Sequence, residues 1–245
     1  MKKIPVARLW HKKGKLEYYT MFQLQKHFPH IEFEYHIVLD QPEFKDEWSK
    51  KIDDLPVKCF WYSKEDMHDY LKDSDYGDDK LISQIPNFVH FYHILINHYI
   101  RRIYNYDYSL MIEYDVIFNS DSLEQLQNCL ENKIPFGIVE PANSGCDKAL
   151  SQQLSNLFQE NIVKYPQIGI NAGFKGLNLK IFDEFLNPST FNMLLNIFDF
   201  SGIYEEDGSE KTGWTRTTID TQEQSFHSDR KSTRLNSSHT DISRM

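Results

Sequence analysis

At 245 residues, with 40% hydrophobic and 26% charged side chains, the chain is long enough to bury one large core or two small ones. Its 27 Lys and Arg stand against 36 Asp and Glu, a formal net charge of −9. That balance argues against a nucleic-acid binder relying on broad phosphate attraction, while leaving room for a local basic patch that holds one diphosphate. Cys59, Cys129 and Cys146 are odd in number and widely spaced, forming neither a CxxC pair nor a disulfide framework, which fits a reducing compartment. Met1 to Trp10 has no signal-peptide core and no apolar run reaches bilayer length, so a soluble, cytoplasmic chain without a membrane span is expected.

In chain order, Ile4 to Trp10 reads as a first strand. Leu16 to Phe28 follows as a helix with Leu16, Tyr19, Phe22 or Gln23, and Lys26 on successive turns. Phe33 to Leu39 is a second strand, ending at Asp40. Pro42 sits where a first helical turn tolerates it, opening a charged helix to about Asp53, and Val57 to Tyr62 is a third strand. Strands alternating with helical stretches imply a parallel sheet. Lys64 to Lys80 is an acidic surface helix and loop.

The clearest periodic element is a helix over 84–105, with Ser83 as its cap and Pro86 in its first turn. Ile85, Phe88, Val89, Tyr92, Leu95, Ile96, Tyr99 and Ile103 fall in a stripe of roughly 120° that should face the core. His90, His93, Asn97 and Arg101 form a second stripe that either borders a ligand cleft or faces water; Asn97 and Arg101 are its candidate cofactor contacts. A metal site at His90 and His93 would need further ligands of the same kind, and none is evident.

The apolar run Leu110-Met111-Ile112 suits a buried strand and delivers two carboxylates, Glu113 and Asp115, at its carboxyl end. In extended chain such residues point the same way with Cα atoms about 6.5 Å apart, so both can reach one hard cation; a solvated acidic turn is the alternative. Asp121 can cap a helix to about Asn132, and Pro135 to Val139 is another strand. A Leu-spaced helix through Leu150, Leu154, Leu157 and Phe158 follows. Ile168 to Leu179 carries three glycines and an alanine in an apolar run, which lets the backbone approach a sugar or another strand closely. Residues 180–200 read as helical, interrupted around Pro188. Asp220 and Glu223 have the spacing of a helix cap, or one of them projects into a cleft to contact a sugar hydroxyl or take its proton.

Residues 229–245 resemble the translation of a sequencing-library adapter, and are expected to be a non-native tail that forms no packed strand and adds little to the core, at most a chance helix. Without them 23 basic residues face 34 acidic ones, a net charge of −11, and the natural protein would break off near Ser228, inside a domain.

Three stretches in order, the long helix leading to Glu113-Tyr114-Asp115, then Asn171-Ala172-Gly173-Phe174-Lys175-Gly176, then Asp220 to Gln224, resemble the GT-A fold of nucleotide-sugar glycosyltransferases. The resemblance implies an α/β fold with a mixed, mainly parallel sheet flanked by helices, truncated at its C-terminus. A single catalytic domain over 1–228 would then comprise a nucleotide-binding half to about residue 115 and an incomplete sugar and acceptor half from about 116. It also implies Mn²⁺ or Mg²⁺ held by Glu113 and Asp115, and a nucleotide-diphosphate sugar as donor. Asn171 and Gly173 would line the sugar side, Glu113 could contact ribose instead of metal, and Asp220 or Glu223 would act as the base. The acceptor would be a glycan or another hydroxyl, with no nucleic acid involved. Glu at position 113 is one methylene longer than the family's Asp, and no downstream histidine ligand is identifiable. A sugar-phosphate nucleotidyltransferase would need a Gly-rich, Arg- and Lys-bearing loop where only His11-Lys12-Lys13-Gly14 stands. A catalytically silent GT-A-like binding protein is the alternative outside enzymes.

Overall fold

The computed structural model describes residues 2–10, 15–39, 41–74, 89–113, 116–118, 123–139, 170–180, 183 and 187. Its elements are β1 (Lys2–Trp10), α1 (Lys15–His27), β2 (Ile31–Leu39), a 3₁₀ turn (Pro42–Phe44), α2 (Lys45–Ile52), β3 (Lys58–Tyr62) and α3 (Lys64–Asp73). They are followed by α4 (Val89–Tyr104), β4 (Tyr108–Ile112), α5 (Leu123–Asn132), β5 (Phe136–Val139) and β6 (Ile170–Asn178).

These strands form one six-stranded sheet in the order β3-β2-β1-β4-β6-β5. β1, β2, β3 and β4 run parallel, and β6 is antiparallel to both β4 and β5. The parallel strands expected from the alternation, and the mixed, mainly parallel α/β sheet implied by the family resemblance, are therefore what the chain builds. The chain winds outward from β1 through β2 to β3, then returns on the other side of β1 as β4. That reversal divides the helices between the two faces of the sheet.

One face carries Ile4, Val6 and Trp10 from β1, Phe33, Tyr35, Ile37 and Leu39 from β2, and Leu110 and Ile112 from β4. Met21 and Leu24 of α1, Trp48 and Ile52 of α2, and Leu126 and Leu130 of α5 close over them. The other face lies under α4, which packs on β1 and β2. Strands covered on both faces are largely apolar, and the buried polar residues they carry, Arg8 in β1, Glu34 and His36 in β2 and Ser109 in β4, are the exceptions.

Local chemistry fixes the helix ends. Ser63 and Asp66 form a reciprocal capping box at the start of α3. After α4, Asn105 takes a left-handed conformation (φ 56°) and its N–H returns to the Arg101 carbonyl at 3.0 Å. After α5, Lys133 does the same (φ 54°), and the Ile134 N–H closes on the Cys129 carbonyl at 2.9 Å.

Packing on the sheet decides which faces of two helices are buried, and for α4 it corrects the single core stripe expected. In α1 the buried side is Glu17, Thr20, Met21 and Leu24, whereas Tyr19 and Phe22 are exposed. The apolar pair that fits the sheet face, not the aromatic stripe, decides the rotation of this helix. In α4 every residue from Tyr92 to His98 is buried, and Ile103 is 55% exposed. α3 also packs against α4, so the burial of α4 extends beyond the face on the sheet. The helices expected near 150–158 and the tail 229–245 lie outside the described residues, as does almost all of the one expected over 180–200.

Candidate functional site at the carboxyl edge of the sheet

In an open parallel sheet the residues just past the strand ends have no neighbours to satisfy them. Where the strand order reverses, diverging loops leave a crevice there. Here the reversal falls between β1 and β4, which are paired through Val6 with Leu110 and Ala7 with Met111.

Glu113 is the first residue past β4 and is half-buried. Its N–H donates to the Gly173 carbonyl at 2.7 Å, extending the ladder in which Ile112 faces Phe174. Because β6 runs antiparallel to β4, its beginning, Ile170 to Gly173, lies at the carboxyl end of β4. The backbone of Asn171 and the Glu113 carboxylate thus share one edge of the sheet. Asp115, Asp220 and Glu223 lie outside the described residues. Among the described residues, no group of three or more His, Cys, Asp and Glu is placed to hold a metal ion. A carboxylate such as that of Glu113 is the hard oxygen donor that Mg²⁺ and Mn²⁺ prefer, and Glu113 would hold such an ion together with the diphosphate and water that are its usual remaining ligands.

The second stripe of α4 is not arranged as expected. Asn97 is fully buried, its Nδ2 donating to the His93 carbonyl at 2.6 Å and its Oδ1 accepting from Ser109 Oγ at 2.6 Å. The amide therefore ties α4 to β4, facing neither water nor a cleft. His93 is buried beside it. Arg101 stands at the opposite end of β4 from Glu113, donating to Asp107 Oδ1 at 2.7 Å and to the Tyr106 carbonyl at 3.4 Å, with Asp183 at 3.6 Å. A cofactor at the carboxyl edge is thus served by neither side chain. Periodicity marks residues off the core stripe; it does not tell a polar seam from a ligand wall.

Sequence reasoning missed Arg8. It occupies a core parity in β1, between Val6 and Trp10, and is fully buried, its guanidinium carbon 5.6 Å from the Trp10 ring centroid. Nε, Nη1 and Nη2 have no hydrogen-bond partner among the described residues. Burial lowers its pKa from the usual value, opposed by the nearby Glu17, Tyr35 and Glu113. An arginine in the otherwise apolar run from Ile4 to Trp10 was the available signal.

Among solved structures, the chain is similar to the apo form of mouse xyloside xylosyltransferase 1, at 11% identity and a TM-score of 0.45, covering 93% of this chain and 82% of that one. It is also similar to core-mannan synthase A from Aspergillus fumigatus in its Mn/GDP form, at 12% identity and a TM-score of 0.48, covering 93% of this chain and 69% of that one. No family model matches the chain, and no curated protein matches it.

Proposed function

We propose that this chain carries the catalytic site of a metal-dependent glycosyltransferase that moves a sugar from a nucleotide-diphosphate sugar to a hydroxyl acceptor in glycan or polysaccharide synthesis. The observation that carries the reading is the hydrogen bond from the Glu113 N–H to the Gly173 carbonyl. It joins two stretches that the sequence singled out separately, the carboxylate pair after a buried strand and the Asn-Ala-Gly segment with room for a sugar.

In this reading Glu113 and Asp115 hold Mn²⁺ or Mg²⁺, or Glu113 contacts the ribose while Asp115 is the principal ligand. A divalent cation bound there supplies Lewis-acid stabilisation of the charge that develops on the departing nucleoside diphosphate. Asn171 and Gly173 receive the sugar, Asn171 by a hydrogen bond and Gly173 by placing no side chain in the way of its approach. Asp220 or Glu223 accepts the proton of the acceptor hydroxyl as it attacks the anomeric carbon, a role that requires hydrogen-bond reach in the donor complex.

The test is isothermal titration calorimetry of GDP and UDP with and without Mn²⁺. Binding of at least one of them that requires the metal and weakens in Glu113→Gln and Asp115→Asn supports the reading. Absence of nucleoside diphosphate binding in the presence of metal would remove it, leaving a glycan- or partner-binding protein.

A further inference from the structure

Three buried side chains on one face of β1 and β2 carry hydrogen-bond donors that have no partner among the described residues. Alternation along the strands, with Val6 in register with Tyr35 and Arg8 with Ile37, puts Arg8, Trp10 and Tyr35 on the same face of the sheet. Tyr35 is the diagonal neighbour of Arg8 across the ladder. All three side chains are 1% exposed or less. Among the described residues, none of the three guanidinium nitrogens, the Trp10 Nε1 or the Tyr35 hydroxyl has a hydrogen-bond partner. Trp48 and Trp61 wall the group through Trp10, with ring centroids 5.2 and 5.5 Å away.

A guanidinium carries five N–H donors and no acceptor, an indole one donor and no acceptor. Leaving such donors dry and unpaired costs free energy, the more so for a charged group. The cluster also lies on the β1 side of the strand-order reversal, across from Glu113 on the β4 side. Among the described residues, the buried Glu17 and the half-buried Glu113 carry the acidic charges that act on Arg8.

We propose that Arg8, Tyr35 and Trp10 form a receptor for one phosphate-type oxyanion reaching in past the ends of β1 and β4. Arg8 supplies planar, charge-assisted hydrogen bonds, while Tyr35 and Trp10 each donate one more. The inference rests on the nucleotide-sugar reading only for the identity of the oxyanion, which would then be a diphosphate oxygen of the donor; free phosphate shares the same chemistry.

The test titrates inorganic phosphate, inorganic pyrophosphate with Mg²⁺, and GDP and UDP with Mn²⁺ into the full chain. Calorimetry is combined with the indole N–H resonances in ¹⁵N NMR, the Trp10 signal being assigned from Trp10→Phe. The expected result is saturable pyrophosphate binding that shifts the Trp10 resonance and weakens about 30-fold or more in Arg8→Gln. Arg8→Lys, which keeps the charge but not the planar fork, should also weaken it strongly. Tyr35→Phe should weaken it about 10-fold, and it carries the test if the Arg8 variants do not fold. Nucleoside diphosphate binding with an unmoved Trp10 resonance and wild-type affinity in Arg8→Lys and Tyr35→Phe would overturn the receptor while leaving the glycosyltransferase reading intact. Arg8-dependent pyrophosphate binding without any nucleotide binding would do the reverse, identifying a free phosphate species as the ligand. Failure of every oxyanion to bind the wild-type chain would overturn the proposal.

Discussion

Replacing Gly176 by alanine asks what the small residues of β6 are for. Gly176 faces Leu110 of β4 on one side and Phe136 of β5 on the other. A Cβ there would come within 2.7 Å of Phe136 Cε1 and 2.8 Å of Cδ1, and would overlap the Tyr108 hydroxyl. Neither ring has an easy escape. Phe136 packs edge-on to Phe174 at 5.1 Å between centroids, and Tyr108 is buried with its hydroxyl directed to the Ile134 carbonyl at 3.5 Å. Two effects oppose each other. Alanine restricts the unfolded chain, which favours folding by about 0.4–1 kcal/mol, whereas overpacking a filled core typically costs about 1–3 kcal/mol. With two aromatic rings to displace, the second should win by about 2 kcal/mol. For a chain of this size that lowers Tm by roughly 4–8 °C. Urea unfolding and calorimetry measure both quantities, and Phe136→Leu in the Gly176→Ala background should restore part of the loss. Gly176→Ala melting within about 1 °C of wild type would mean that the ring cluster does not fill the space beside Gly176.

Three further outcomes follow from the same packing. Leu95 is fully buried in α4, so Leu95→Ala should cost roughly 2–5 kcal/mol in denaturant unfolding, and a loss below about 0.5 kcal/mol would place that face in solvent. Ser109→Ala strips the 2.6 Å donor from Asn97 Oδ1 inside the α4–β4 seam and should cost about 1–3 kcal/mol, with no loss if the seam were hydrated. His36 is buried against Tyr62, with its imidazole pushed down to about 4 by desolvation, so the folded chain keeps it neutral while the unfolded chain takes up a proton near pH 6.5. Its contribution is full above pH 6.5 and is lost as pH falls toward 4. Between pH 7 and 4.5 the wild type should lose about 2 kcal/mol more than His36→Phe in parallel urea titrations, and equal losses would show that His36 titrates normally when folded.

The sheet was legible because its signals are local. Runs such as Leu110-Met111-Ile112 are apolar on both sides of the strand, and helical stretches between them force parallel connections. The position of Glu113 at a carboxyl edge followed from the same run. Three features depended on neighbours that a single sequence does not display. The rotation of α1, which buries Met21 and Leu24 and exposes Tyr19 and Phe22, was set by the sheet face it covers. The polar seam of His93, Asn97 and Ser109 follows from α4 being covered by the sheet on one side and α3 on another. The glycines of β6 left a sugar and a second strand as equal explanations. At Gly176 the rings of Tyr108 and Phe136 fill the space, and at Gly173 the carbonyl accepts from Glu113. Arg8 broke the apolar rule of its strand, and a violation of local consistency is where a functional residue is to be sought.

The most direct test of the central proposal is the rate at which the chain hydrolyses or transfers sugar from a panel of nucleotide-diphosphate sugars, followed by release of the nucleoside diphosphate, for wild type and Asp115→Asn with and without EDTA. Loss of the cation should remove several kcal/mol of charge stabilisation. Chelation should therefore abolish turnover, and Asp115→Asn should lower it about 10²-fold or more, with Glu113→Gln milder if Glu113 holds only ribose or a metal-bound water. Turnover that survives both EDTA and Asp115→Asn would contradict the mechanism.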